Sequence, residues 1–272
     1  MFCGRVIVHH EELTNVVSRG GPQEIPRPPS ARPGRPAPWA GLSGDLLNPS
    51  LADVKEALAG ADPARPVEQR LDDTRAAAVL AALYDEKWEE GRAAVAPLSV
   101  APLSVAPLAH VVLTRRAQHL RSHRGEVSFP GGAQEPGEDF WTTAVREAFE
   151  EVALDPAVPT PIGELDHLRT VTSQSFIVPL VAELPGRPDL VAHPGEVEQI
   201  LHVSLAELLL PEVFHEEIWT IGGQQRPIFF FDIVGDTIWG ATAAMLRNLL
   251  AIVTGTFDPR DRPTPWGPFA GE

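Results

Sequence analysis

Residues 132–154 read GAQEPGEDFWTTAVREAFEEVAL, and the reading of the whole chain turns on this stretch. It follows Gly131 and contains a Pro136-Gly137 turn, after which Asp139 stands where a helix N-cap is expected. Nothing between Phe140 and Val152 breaks a helix, and Asp155-Pro156 marks its end. At about 100° per residue, Phe140, Ala144, Val145, Ala148, Phe149 and Val152 spread over one broad apolar face. Glu147, Glu150 and Glu151 fall at i, i+3 and i+4 along its edge, with Arg146 beside them. Carboxylates crowded on one stripe repel each other. Two readings follow. The stripe is a solvated acidic edge in which Arg146 pairs locally, or it holds a divalent cation. Mg²⁺ or Mn²⁺ prefers hard oxygen ligands of this kind.

The spacing of the whole stretch resembles the Nudix box, GX5EX7REUXEEXGU, where U is aliphatic. Gly132, Glu138, Arg146, Glu147, Glu150, Glu151 and Leu154 fit, and Ala148 is a small choice for U. Ala153 stands where the family has Gly. A glycine there ends the helix in a left-handed conformation, which Ala enters at a cost on the order of 1 kcal/mol. The departure bears on the helix C-terminus and not on the acidic side chains.

Immediately upstream, residues 113–132 read LTRRAQHLRSHRGEVSFPGG. Arg115, Arg116, Arg121 and Arg124 crowd together here with His119 and His123, in a chain whose formal net charge is −15. Arginine forks suit phosphate oxygens bidentately. On charge alone the arginines could equally pair with nearby acids on a surface loop. The segment also resembles the signature that precedes the Nudix box in coenzyme A pyrophosphatases, LLTXRSX3RX3GX3FPGG. Leu113, Thr114, Arg116, Arg121, Gly125, Phe129, Pro130, Gly131 and Gly132 match in register, with Val112 and Ala117 as mild substitutions.

Together the resemblances imply an α/β fold, the Nudix α/β/α sandwich with a mixed β-sheet and a catalytic loop-helix-loop. They imply hydrolysis of the diphosphate of coenzyme A to 3′-phosphoadenosine phosphate and 4′-phosphopantetheine. The implied metal ligands are Glu147, Glu150, Glu151 and the Gly132 carbonyl. Arg146 holds the carboxylates and Glu138 supports the loop. The base that activates water is a box glutamate or an acid on a later loop, with Glu196 and Glu198 the nearest downstream candidates. On the ligand side the signature implies Arg116, Arg121, Gly125 and Phe129; Arg124 joins them from the same cationic cluster, and the 121–124 region is expected to read the 3′-phosphate. Two other readings stay open. One is a Nudix hydrolase of ADP-ribose or NADH; the other is a non-catalytic Nudix-fold sensor, which would be expected to lose box acids that this chain retains.

Composition narrows the classes further. The chain has 272 residues, enough for a substantial core, and carries 37 acidic against 22 basic residues. Such a balance argues against a general nucleic-acid or acidic-membrane surface. Cys3 is the only cysteine, which excludes an internal disulfide and a cysteine-rich metal site. No apolar run approaches the ~20 residues of a membrane span, and MFCGRVIVHH lacks a signal-peptide core, so a cytoplasmic protein is expected. The expected partner is a small molecule of the coenzyme A class. Pairing with a second copy as a homodimer is left open.

The remaining chain divides as follows. Residues 1–45, dense in Pro, Gly and Arg, are expected to form a poorly ordered arm. Adjacent His9 and His10 point apart on any regular element and make a poor metal pair. Residues 46–75 form an extension around a short helix that Ser50 caps and Gly60 stops. The main domain spans 76–255, opening with a buried strand over 77–84 (AAVLAALY). It is interrupted near 93–108 by the repeat VAPLS, VAPLS, VAPLA, where regular prolines forbid a continuous helix or central strand. Strands are expected at 110–115, 161–171, 175–184 and 199–203, and a short capped helix follows Ser204. A hairpin is expected around Gly222-Gly223, then an apolar-striped helix over 239–254 and a loose tail over 256–272.

Overall fold

The computed structural model describes residues 18–66, 75–87, 107–170 and 175–259. Cys3, His9, His10 and most of the VAPLS repeat lie outside the described residues, as does the end of the tail.

In chain order, a two-residue strand β1 (Arg32–Pro33) precedes helix α1 (Leu51–Gly60). Strands β2 (Arg75–Glu86), β3 (Leu108–Arg116), β4 (Val127–Ser128) and β5 (Gly131–Ala133) lead to helix α2 (Phe140–Val152). Then come β6 (Thr160–Glu164), β7 (Leu168–Arg169), β8 (Ser175–Glu183) and β9 (Val197–Ser204). Helix α3 (Leu205–Leu208), β10 (Phe214–Ile221), β11 (Gln224–Ile233), β12 (Asp236–Trp239) and helix α4 (Gly240–Val253) complete the chain.

Two sheets form among the described residues. The larger has eight strands and runs β4-β3-β2-β8-β6, with β5 also on β2, β7 on β8 and β9 on β3. It is mixed: β2 and β8 are parallel, whereas β2–β3, β3–β9 and β6–β8 are antiparallel. The smaller runs β1-β10-β11-β12. The strand expected over 161–171 is in fact two short strands, β6 and β7, both paired to β8.

Strand β2 explains the layering. Successive side chains point to opposite faces of a sheet, so a strand buried on both faces reads as a continuous apolar run. Ala76, Ala78, Leu80, Ala82 and Tyr84 face α2, joining Ala144, Ala148 and Val152 in one core. Val79, Ala81 and Leu83 face the other way, into a second core with Phe229 and Phe231 of β11 and Leu246, Leu249 and Leu250 of α4. Each fully buried Leu or Phe stabilises the fold by about 1.5–3 kcal/mol. Helix α2 therefore covers one face of the mixed sheet, and α4 with the smaller sheet covers the other. This is an α/β architecture.

The hairpin β10–β11 turns at Gly222 and Gly223, both with positive φ (57° and 76°), the geometry that matches the strand twist. Ser50 caps α1 through a reciprocal capping box with Asp53. The described part of the N-terminal arm differs from the loose segment expected. Gly34 donates its amide to the Glu216 carbonyl at 2.7 Å, and Trp39 is buried beside Phe214, with ring centroids 5.2 Å apart. Its composition cannot build a core alone, but β10, β11 and β12 supply a surface on which it packs. No helix among the described residues is long and apolar enough to cross a membrane.

Candidate functional site

Helix α2 starts where Asp139 accepts the Thr142 amide at 2.7 Å. It ends at Ala153, which adopts the left-handed conformation (φ 57°, ψ 30°) and donates its amide to the Phe149 carbonyl at 2.9 Å. The alanine thus takes up the backbone geometry that a glycine would adopt freely. Along the helix, one residue departs from the expected face: Phe149 is 53% exposed and projects outward instead of packing.

Arg146 organises the acidic stripe. Its Nε donates to Glu138 Oε1 at 2.7 Å and its Nη2 to Glu138 Oε2 at 3.1 Å. Nη1 donates to Glu147 Oε1 at 2.9 Å and to Glu150 Oε2 at 3.2 Å, and Nη2 also reaches the Ala133 carbonyl at 3.0 Å. The Arg146 hydrogen bonds, with one from the Thr143 hydroxyl, hold the Glu138 carboxyl down to about 2. Glu138 in turn accepts the Glu135 amide at 3.1 Å and fixes the loop before α2. One guanidinium therefore joins three glutamates and the carbonyl at the end of β5.

Glu151 sits differently. It is only 3% exposed, accepts the Gly131 amide at 3.2 Å, and has Arg116 Nη1 at 3.6 Å. Burial pushes its carboxyl up to about 7, and the charges of Glu147 and Glu196 push in the same direction. Burial likewise raises half-buried Glu147, with Glu150 and Glu196 adding to it. Gly132 brings the β5 backbone against this group: a β-carbon there would lie 2.5 Å from the Glu147 carboxyl carbon. Glu196 itself is exposed and lies on the segment before β9, and its carbonyl accepts the Ala117 amide at 2.8 Å. Glu198, the other downstream candidate, acts on Arg115 and accepts from Gln118 Nε2 at 3.4 Å.

The donor chemistry fits a hard divalent cation. Glu147 and Glu151, one helical turn apart, are carboxylates whose charge is disfavoured by burial and by neighbouring carboxylates, and a cation would relieve both effects. Glu150 is directed to Arg146, and among the described residues no three acidic or histidine side chains converge into a preformed cage.

The arginine segment separates into distinct surroundings. Arg115 turns away from α2 and makes a bidentate pair with buried Asp236, at 2.7 and 2.6 Å. Arg116 faces α2, across a register shift between these two residues in the β3–β9 ladder. Its buried Nε has no hydrogen-bond partner among the described residues. Arg121 and Arg124 are exposed on the loop, Arg124 beside Glu24 at 3.4 Å. Gly125, at φ 68°, closes the loop by donating its amide to the Arg116 carbonyl at 3.0 Å. Phe129 requires a correction. Expected on the ligand side, it is 1% exposed and belongs to the core between the sheets, where its ring anchors the β4–β5 connection. An aromatic at a motif position carries no local signal for which side of the backbone it packs on. The roles of Arg115 and Asp236 were not legible either, since their contact spans the chain.

A family profile described as NUDIX domain matches residues 99–221. The "Uncharacterized Nudix hydrolase NudL" of Photorhabdus laumondii is 36% identical over 140 residues, covering 51% of this chain and 74% of that protein. The protein of the same description from Yersinia pestis (strain Pestoides F) is 34% identical over 140 residues, covering 51% and 70%. Among solved structures, the NUDIX domain of Shewanella oneidensis NrtR complexed with ADP ribose aligns at 17% identity and a TM-score of 0.36, over 57% of this chain and 84% of that one. A MutT/nudix family protein from Enterococcus faecalis aligns at 13% identity and a TM-score of 0.38, over 76% and 68%.

Proposed function

The chain belongs to the Nudix hydrolase family, and from that premise we propose that it hydrolyses the diphosphate of coenzyme A or a coenzyme A derivative. The products would be 3′-phosphoadenosine phosphate and 4′-phosphopantetheine. The observation that carries the proposal is the meeting of two separately read motifs: Arg116 of the upstream signature faces Glu151 of the box at 3.6 Å. The loop that follows Arg116 presents Arg121, a signature position, and the nearby Arg124 to solvent. A cationic loop of this kind suits a substrate with a phosphate beyond its diphosphate.

In the reaction the oxygen of water bonds to one phosphorus as the bridging P–O bond breaks, one proton passes to a base, and the bridging oxygen leaves on the second product. A divalent cation, Mg²⁺ or Mn²⁺, held by Glu147, Glu151 and the Gly132 carbonyl, would supply charge neutralisation and a more acidic water. Arg146 fixes the rotamers of Glu147 and Glu150 and is itself fixed by Glu138. Glu196 is the base in this reading, because its charge reaches both Glu147 and Glu151 whereas that of Glu198 reaches Arg115. Arg116, with its unpartnered Nε, is suited to a phosphoryl oxygen of the diphosphate.

The test is a panel of coenzyme A, dephospho-coenzyme A, ADP-ribose and NADH, with Mg²⁺ or Mn²⁺, alongside Glu151→Gln. Release of phosphopantetheine from coenzyme A that the variant loses supports the proposal. Preference for ADP-ribose or NADH overturns the coenzyme A assignment and leaves the hydrolase. Absence of metal-dependent turnover on every substrate brings forward a binding role.

A further inference from the structure

The N-terminal arm touches the arginine loop through two neighbouring residues, Gln23 and Glu24. Gln23 donates from Nε2 to the Gly125 carbonyl at 3.0 Å and to Asp236 Oδ1 at 2.7 Å, and its Oε1 accepts the Thr237 amide at 2.8 Å. Both hydrogens of the amide and one lone pair of its oxygen are thereby used. The same Asp236 oxygen accepts Arg115 Nε at 2.7 Å. Arg115 stands at the entrance of the loop, one residue before Arg116, and Gly125 stands at its exit. Gln23 therefore binds directly the exit of an excursion that carries Arg121 and Arg124, and its entrance through Asp236.

Other contacts make this staple matter. Within the loop, the amides of Leu120 and Glu126 bond weakly, at 3.3 Å, to the carbonyls of Ala117 and His123. His123 holds a positive φ of 54°, unusual for a residue with a β-carbon. The segment before β9 is held to the loop's first residues by contacts to its carbonyls that do not involve Gln23: His119 Nε2 lies 3.1 Å from the Gly195 carbonyl and the Ala117 amide meets the Glu196 carbonyl. The loop has little apolar anchorage of its own, because residues 121–124 are all exposed. Such segments open at low free-energy cost unless tied at their ends.

We propose that Gln23 is a positioning residue that closes the base of the 117–125 loop and so sets the geometry of its arginines toward the substrate. The inference rests on the proposed function for its kinetic consequence, while the ordering of the loop is independent of it. The arm from Gly21 to Glu24 becomes part of the specificity apparatus, with exposed Glu24 beside Arg124 at 3.4 Å.

The experiment compares the full chain with Gln23→Leu, which keeps the volume and loses all three hydrogen bonds. Hydrogen exchange is followed on peptides covering 117–126 and, as a control, 140–152; KM and kcat are measured on whichever diphosphate the wild type cleaves best. The expected result is exchange at least ~10-fold faster in the loop and unchanged in the helix, as end-tied loops open locally. KM is expected to rise ~5-fold with kcat held within ~2-fold, the mark of lost binding in ground and transition states alike. Unchanged loop exchange overturns the proposal, as does faster exchange with unchanged KM. Should no diphosphate be cleaved at all, the proposed function fails and the exchange comparison alone decides the role of Gln23. Gln23→Glu adds a second check: a carboxylate against Asp236 should loosen the loop further, and protection equal to wild type would also overturn the staple.

Discussion

Gly132 lies so close to Glu147 that a β-carbon on the glycine would stand 2.5 Å from the carboxyl carbon and both its oxygens at 2.5–2.6 Å. The neighbouring Gly131 faces backbone instead, with its added β-carbon 2.4 Å from the Ala78 carbonyl oxygen and 2.6 Å from Val79 Cα. A flexible carboxylate can swing aside, whereas a paired strand cannot. Gly132→Ala is therefore expected to leave stability within about 1 kcal/mol while displacing Glu147 and cutting kcat at least ~100-fold. Gly131→Ala is expected to lose about 1–3 kcal/mol of stability through overpacking. Urea unfolding beside turnover numbers for the two variants separates the cases. Equal destabilisation by both would mean that Gly132 is a backbone glycine and nothing more.

The helix C-terminus offers a stabilising change. Ala153 holds φ 57° and is exposed, so nothing packs on its methyl group to offset the left-handed backbone. Ala153→Gly is expected to raise stability by about 1 kcal/mol. For a chain of this size that corresponds to roughly 3 °C in Tm. The measurement is a thermal melt, and a lower Tm for the glycine variant would show that unfolded-state entropy outweighs the relieved strain.

These local features were legible because each is written in adjacent residues. Asp139 and Ser50 announce caps and Gly222-Gly223 a turn without reference to the rest of the chain. Strand β2 was legible because burial on both faces leaves an unbroken apolar run. What was not legible depends on partners far along the chain. Phe149 belongs to the apolar face by period, yet nothing covers that flank of α2 among the described residues and it stays exposed. Phe129 lies in the core for the opposite reason, since β4 and β5 turn its ring inward. The Pro-rich composition of the arm says only that it cannot fold alone. It contains no sign that β10–β12 would hold it, nor that Gln23 would reach Gly125 and Asp236.

A pH dependence follows from His202, which pairs through Nδ1 with the buried Tyr84 hydroxyl at 2.8 Å. Burial lowers its imidazole from 6.5 to about 4, with Arg187 and His110 adding to the shift. The unfolded chain binds the proton first, so the stabilisation is fully present above 6.5 and is lost as the pH falls from 6.5 toward 4. His202 is partly exposed; discounted for solvent screening, the loss between pH 7.5 and 5 is about 1 kcal/mol. Glu151, Glu147 and Glu207 have pKa values raised by burial and oppose this trend, so the readout must be a difference. Urea midpoints of wild type and His202→Gln at both pH values supply it. A variant that loses as much stability on acidification as wild type would remove His202 from the account.

The base can be assigned by a paired substitution. Glu196 and Glu198 lie two residues apart, but the register shift beside Arg115 and Arg116 sends their charges to different groups. Glu196 raises both Glu147 and Glu151, so its carboxylate shares their field, while Glu198 contributes to Arg115 on the other face of β3. Proton abstraction by a positioned carboxylate contributes ~100- to 10,000-fold. Glu196→Gln is expected to lower kcat by at least ~100-fold with KM little changed, and Glu198→Gln to stay within ~3-fold of wild type. Both residues are exposed, so neither substitution should unfold the protein, and matching Tm values confirm that the comparison is kinetic. The pH profile adds a criterion that a positional role would not meet. Loss of the base should alter the shape of the acidic limb of kcat, to which Glu151 also contributes, whereas a misplaced loop would lower the whole curve without changing its shape. If Glu198→Gln is the slower variant, the base lies on the Arg115 side and the site must rearrange around β3 when substrate binds.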